Sequence, residues 1–351
     1  MAYATRMKQV VTFLLYLAVF LLPFGQLLQY PVAPSVQVYA IDAVIFLLAI
    51  VWTVHRLVEK KPPTTPPLAP FVVLFTGIGI ISLLFSLFRF NLTEVGIGSL
   101  YLLRWISYAS LYFVAYEYND KQKLLKALMA AGVVSALFGL FQYFLYPNLR
   151  NLMYLGWDPH EYRIFGTFFD SGFAGIIYVL TLILIVYFYL QNNINKTLLI
   201  SAGLITYLAL ALTYARSSYL AFLTAFFILS ILKQTYKFAL ISIMLIGITV
   251  FVLPRPSETS EGVKLERTAS VSARGDNYLH TLSIIEDNPV VGVGFNTLRY
   301  ENSKRGYVAP IDEDISHAAA GSDSSLLFVA ATTGIIGLIL YIFVVVPDGR
   351  D

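Results

Sequence analysis

The sequence has no cysteine, few charges and only four histidines in 351 residues. Without cysteine there can be no disulfide, no thiolate nucleophile and no Cys-ligated metal, and nothing marks the redox compartment. The histidines, His55, His160, His280 and His317, are scattered, with no HExxH or paired spacing, so no zinc site is expected. Charged residues make up 13% of the chain and hydrophobic ones 58%. Soluble domains carry about a quarter charged residues. A chain this apolar cannot hide its surface in one water-soluble core, so lipid is its expected solvent. A net charge of +3 is too small to suggest nucleic acid as a partner. No repeat of solenoid length is present either.

What the chain does have is long apolar runs and aromatics, with 24 Tyr and 26 Phe. Ten runs are read as membrane spans: 9–29, 38–56, 69–88, 96–116, 126–146, 172–190, 198–214, 217–232, 238–254 and 323–346. The first continues too directly into the second to be a cleaved signal peptide. The expected fold is all-α, a polytopic transmembrane bundle of about ten helices. Four segments follow: 1–68, the N-terminal helices and a KKPPTTPP cytoplasmic linker; 69–254, the central bundle with an outer loop at 147–171; 255–322, a large outer loop; and 323–351, the last helix and a short tail. No soluble domain is expected on either side of the bundle.

Lysine placement orients the bundle. Arg6 and Lys8 precede the first span, and alternate loops hold Lys60, Lys61, Lys121, Lys123, Lys126, Lys196, Lys233 and Lys237. The opposite short loops hold none, which puts the N-terminus in the cytoplasm and the long 255–322 loop outside. Within that loop, 274–288 places Leu279, Leu282 and Ile285 on one helical stripe, away from Asp276, Glu286 and Asp287. This reads as an amphipathic helix lying in the interface plane, stopped by Pro289 and followed by the Gly-rich turn GVGFNT.

Charges near apolar spans usually face a cavity or a partner. Asp42, Arg104, Arg163, Arg216 and Arg274 all map to the outer half. Arginine binds phosphate bidentately, so several arginines at one face suggest an anion site for a pyrophosphate. Arg163, Arg216 and Arg274 are the candidates, with Arg163 and Arg216 also placed among the catalytic groups; Arg104 is read as the structural partner of Asp42. The alternative for Arg216 is simple snorkelling to headgroups. Asp323, beside Ser322, Ser324 and Ser325, is either a base for a sugar hydroxyl or an N-cap. His317 is a possible accessory group, Asp170 a cap, and Asn91-Leu92-Thr93 a chance sequon.

In order, RIFGTFFDSGFAG, LTYARSSYLA, SARGDNYLHTLSIIEDNPVVGVGFNT and SDSSLLFVAATTGIIGLI resemble the O-antigen ligase and O-antigen polymerase superfamily, the Wzy_C family. The similarity runs over most of 70–346. It implies a metal-independent, inverting transfer of a glycan from undecaprenyl pyrophosphate, with no cofactor, in a bacterial inner membrane. The acceptor would be a second lipid-linked glycan, a lipid A-core sugar or a protein Ser/Thr. By position the pyrophosphate-contacting arginines would be Arg163, Arg216 and Arg274. Family ligases carry a His-Asn or similar pair eleven residues before a position matching Gly334; here Asp323 and Ser324 stand there, which opens the polymerase assignment beside the ligase. Members also continue through two more spans, so the resemblance implies a bundle extending past Asp351. The readings from other classes are a transporter, which calls for mid-membrane polar residues and broken helices, and a non-catalytic envelope protein.

Overall fold

The computed structural model describes residues 2–33, 36–59, 65–253, 269–308 and 321–346. The chain is mostly helical. Each of the ten apolar runs carries one helix: α1 Ala2–Leu21, α2 Ala40–Glu59, α3 Ala69–Ser86, α4 Leu92–Glu117, α5 Lys121–Leu145, α6 Ser171–Gln191, α7 Lys196–Ala211, α8 Arg216–Leu232, α9 Lys237–Val252 and, last in the chain, α12 Ser325–Val345. Between them lie α10 Ala269–Asp287 and α11 Leu298–Lys304. Six stretches are long and apolar enough to cross a membrane: Arg6–Leu28, Ala40–Glu59, Ala69–Ser86, Lys121–Leu145, Ser171–Gln191 and Ser325–Val345. α7, α8 and α9 are apolar but only 16 or 17 residues long, short of the roughly 20 that span a hydrocarbon core. The protein is therefore a multi-pass membrane protein with fewer clear spans than its apolar runs suggest.

The side chains are distributed as lipid solvation demands. Large apolar residues face outward, among them Phe13, Leu84, Phe144, Leu204, Ile243 and Phe251, the last 90% exposed. Small and polar residues lie inside, including Ser82, Ser107, Ser135, Ala136, Thr181, Ser218 and Thr333. Lipid removes the hydrophobic gain from helix contacts, so close packing through small residues holds the bundle together. Gly132 meets the Thr181 side chain, Gly139 meets Tyr178 and Gly175 meets Ser218, each with no room for a Cβ. These contacts draw α5, α6 and α8 together. Around them Phe222, Leu210, Ala174 and Ile164 form a buried core.

The fold is all-α as expected, apart from one short hairpin. Gln29–Ala33 and Val36–Tyr39 form a two-stranded antiparallel hairpin between α1 and α2. α1 ends at Leu21 because Pro23 can donate no backbone hydrogen bond and disfavours helix in the residue before it. A short 3₁₀ stretch, Leu22–Leu28, leads into the strands, where alternating Val36 and Val38 suit the pleat. Asp42 and Arg104 form the expected ion pair. Arg104 also donates to the Gln37 carbonyl at 2.8 Å, Tyr108 Oη donates to Asp42 Oδ1 at 2.7 Å, and the Tyr39 N–H donates to Asp42 Oδ2 at 3.1 Å. The pair thus ties the hairpin to α4 beside a cavity of about 330 Å³ whose walls, apart from these groups, are mainly apolar.

α12 is broken. Gly334 has φ 73° and ψ −178°, a conformation open essentially to glycine alone. The break frees backbone groups, and the segment after α10 satisfies them. Val293 N–H donates to the Ala331 carbonyl at 2.9 Å, Gly294 N–H to Thr332 at 3.2 Å, and Ile335 N–H to Pro289 at 2.8 Å. Ser82 on α3 adds a hydroxyl bond to the Thr332 carbonyl at 2.5 Å. Gly292, at φ 69°, lies so near the backbone of 331–333 that a Cβ would come within 2.6 Å of it. The GVG turn is a backbone insert in a helix.

Gly334→Ala would place a methyl on the Val290 backbone at a φ that alanine rarely adopts. We expect it to destabilise the protein by about 2–3 kcal/mol, whereas Gly247→Ala, with open space around it, should be neutral. Thermal unfolding in detergent, comparing the two variants with wild type, checks this.

Candidate functional site

Arg163 and Arg216 sit on neighbouring segments. Arg163 is buried in the connection between α5 and α6, and Arg216 is the first residue of α8. The segments are joined by a hydrogen bond from Ile164 N–H to the Leu212 carbonyl, 2.8 Å long. Each is further fixed from its own side. Gln142 on α5 accepts from the N–H groups of Phe165 and Gly166 at 3.0 and 3.1 Å. In the α7–α8 turn, Tyr219 Oη donates to the Ala211 carbonyl, and Ala215 N–H donates to Thr213 Oγ1 at 3.2 Å. Ser218 then donates to Gly172 O at the start of α6, at 3.1 Å.

The backbone here is strained. Seven non-glycine residues among those described have positive φ, and four of them flank the two arginines: His160 (42°), Tyr162 (53°), Phe169 (57°) and Tyr214 (51°). Bulky side chains are rare in that region and cost about 1–3 kcal/mol each. Such strain persists only where the surroundings over-determine it. Here the surroundings are a closed loop, with Leu149 N–H donating to the Pro159 carbonyl at 2.7 Å and Tyr162 N–H to Pro147 at 3.0 Å. Arg150 pairs with Glu161 on the same loop. Within it the Arg163 guanidinium meets His160 Nδ1, and the His160 ring stacks on Phe165 at 5.9 Å.

Arg274 and Asp323 are placed by a different packing, of α10 on α12. Both are exposed. Asn277, one turn after Arg274, is the joint between them. Its Oδ1 accepts from Asp323 N–H at 3.0 Å and Ser322 Oγ at 3.1 Å, and its Nδ2 donates to the Gly321 carbonyl at 3.3 Å. Asp323 is not the helix cap. Ser324 is, its hydroxyl accepting from Leu327 N–H at 3.4 Å, because it is Ser324 that adopts the extended cap geometry (φ −111°, ψ 118°). Asp170 does cap α6, accepting from Phe173 N–H at 2.6 Å, and Asn91 with Glu94 forms a capping box on α4. His317 lies outside the described residues.

α10 runs from Ala269 to Asp287, longer at its start than the 274–288 read from sequence. Its buried stripe is Thr281 and Ile284 below Asn277, continued by Asn288 just past its end. Leu279 is 66% exposed and Leu282 41%, and Ile285 is part-buried against the Ile284–Val293–Ala331 cluster. Thus Leu279 and Leu282 form an unburied apolar stripe. On another face His280 stacks on Tyr307 at 4.0 Å, Ser283 Oγ shares a 3.0 Å hydrogen bond with Tyr307 Oη, and Asp287 pairs with Arg305 at 2.7 Å. Hydrogen bonds from Ser283 and Arg305 hold the Tyr307 phenol below its usual pKa. Burial acts to lower Arg305, but its bonds to Glu301, Asp287 and Tyr307 outweigh this and hold the guanidinium above its ordinary value.

The bond between Ile164 and Leu212 thus joins two strained segments, one bearing Arg163 and the other leading into Arg216. Residues 201–342 match the family model Wzy_C, O-antigen ligase. The resemblance seen in the motifs is thereby borne out over a shorter stretch than 70–346. The Wzy_C match takes in Arg216, Arg274 and Asp323; Arg163 precedes it. No curated protein and no solved structure matches the chain. The Wzy_C model covers less than half of the chain.

Sequence reasoning missed Gln142, Ser218, Asn277 and His160. Asn277 and Ser218 have no local signal, since their partners lie up to 46 residues away; His160 meets Arg163 only three residues on, but through a loop geometry that spacing alone does not reveal. Replacing Asn277 with Ala removes the acceptor for the Asp323 amide. Hydrogen exchange of that amide should then quicken by at least about tenfold, as one hydrogen bond of roughly 1.5 kcal/mol is lost, with the interior of α12 unchanged.

Proposed function

We propose that this protein transfers a glycan from undecaprenyl pyrophosphate to an acceptor hydroxyl at the outer face of a bacterial inner membrane. The observation that supports the reading is the backbone bond joining the strained segments that bear Arg163 and lead into Arg216, together with the Wzy_C match. The orientation, N-terminus in the cytoplasm, is supported by the lysines. Lys121, Lys126 and Lys196 sit over the rings of Tyr116, Phe188 and Tyr189, at the helix ends opposite to the arginines, as expected for a cytoplasmic headgroup layer. α10, with Leu279 and Leu282 uncovered, lies in the outer headgroup layer.

The transfer is metal-independent and inverting. In this reading Arg163, Arg216 and Arg274 are the cations that hold the pyrophosphate oxygens. The acceptor oxygen attacks the anomeric carbon from the face opposite the pyrophosphate. The bond from carbon to pyrophosphate oxygen breaks, and the negative charge that gathers on the leaving group is met by the guanidinium groups. The acceptor proton passes to the Asp323 carboxylate, which Asn277 keeps at the entrance of α12. His317 on the adjoining segment assists.

Acceptors in this reading are a second lipid-linked glycan, a lipid A-core sugar or a protein hydroxyl. The discontinuous α12 favours a transporter as the second reading. Against it, the groups freed by the break are met by the 289–294 backbone, whereas a transport site would leave them for a substrate.

The test is a reconstituted assay with undecaprenyl-pyrophosphate oligosaccharides, with and without lipid A-core. Arg216→Ala should lower the rate about 30- to 1,000-fold. Lengthening lipid-linked chains without added acceptor would identify a polymerase, and product only with lipid A-core a ligase. Unchanged transfer by Arg216→Ala would overturn the arginine clamp.

A further inference from the structure

We infer that His160 is a positioning residue: its neutral imidazole, through Nδ1, aims the Arg163 guanidinium at the pyrophosphate. The inference rests on the proposed role of Arg163 and extends it to a residue that neither the motifs nor the Wzy_C match contains, since the match begins at residue 201.

The geometry is specific. An arginine has only N–H donors, so the ring nitrogen that meets it must carry a lone pair. His160 Nδ1 meets Arg163, which makes Nδ1 the acceptor and places the ring proton on Nε2. A lysine-like cation or a protonated imidazole at this point would repel Arg163. Both side chains are buried, so water cannot take over the contact, and the guanidinium orientation depends on groups in the protein.

His160 is costly to hold there. Its φ of 42° lies in the left-handed region, as does that of Tyr162 two residues on. The loop closure through Pro159 and Pro147 maintains both. The ring is clamped as well, by stacking on Phe165, whose own N–H is bound by Gln142. Strain maintained from several sides marks a position retained for what its side chain does. What this one does is fix the fork of a buried arginine. A misaimed arginine would still attract a pyrophosphate in the ground state but would fit the developing charge poorly, so the loss should appear in kcat.

Two substitutions separate the parts. His160→Phe keeps an aromatic ring for Phe165 and loses the acceptor. His160→Asn keeps an acceptor and tolerates positive φ, but loses the ring. In the reconstituted assay, with undecaprenyl-pyrophosphate oligosaccharide as donor and monodisperse protein, His160→Phe should lower kcat by ~10- to 100-fold with donor KM within about threefold. His160→Asn should recover most of that loss. In an Arg163→Lys background, His160→Phe should cost little more, because the group it aims is gone. Wild-type kcat in His160→Phe would overturn the inference. So would equal losses in the Phe and Asn variants, or losses that multiply in the Arg163→Lys background. If Arg163→Lys and Arg216→Ala both transfer at the wild-type rate, the clamp fails and the role of His160 falls with it. If they are impaired and His160→Phe is not, the clamp stands and only the positioning role is lost.

Discussion

A helix broken inside a membrane protein must find partners for the backbone groups it opens, because hydrocarbon offers none. In α12 those partners come from the Pro289–Gly294 segment and from Ser82 on α3. Much of the C-terminal half depends on this arrangement. It joins α12 to α3, brings the end of α10 against α12, and so sets where Asn277 meets Asp323. Each unmet group would cost several kcal/mol, more than any surface ion pair in the protein contributes. Glycines at 292 and 334 are required because two backbones approach to hydrogen-bonding distance and a Cβ on either would collide with the other, while a Cβ at Gly294 would meet the Ser86 and Thr297 side chains.

The arginine region follows another logic. α5, α6 and α8 are drawn together by small residues, Gly132, Gly139 and Gly175, facing Thr181, Tyr178 and Ser218. This close packing is what allows the two loops bearing Arg163 and Arg216 to share a hydrogen bond. Arg104 has a different fate. Its fork is engaged by Asp42 and Gln37, so the hairpin is anchored with little net charge, while the loop arginines lie at the strained segments. One residue type serves as a structural cross-link in one place and as an anion-binding candidate in another.

How much of this was legible in the sequence varied with the range of the interaction. The helices were legible, since each apolar run carries one, and so were the Asp42–Arg104 pair and the Asp170 cap. The hairpin was not, because residues 22–29 and 38–39 are apolar enough to read as ends of two spans, and 30–37, with Pro31 and Pro34, reads as the link between them. The cap of α12 was misplaced by one residue, since Asp323 and Ser324 are both good caps and backbone dihedrals alone choose between them. The arginines were visible as residues, but their pairing through Ile164 and Leu212 was not, for those are backbone contacts between distant loops. The break at Gly334 lay hidden for the same reason: TTGIIG is compatible with an unbroken apolar helix, and only the approach of 289–294 makes the break affordable.

The insertion of Pro289–Gly294 has a mechanical consequence. The segment that follows α10 is welded to α12 by main-chain bonds, and Asn277 ties the body of α10 to residues 321–323. A rod held at two points cannot lift without stripping several polar groups at once. Arg274 stands one turn before the Asn277 joint, and Asp323 is bound to that joint by its own amide. The spacing between this cation and this carboxylate is therefore set by a short lever fixed at both supports.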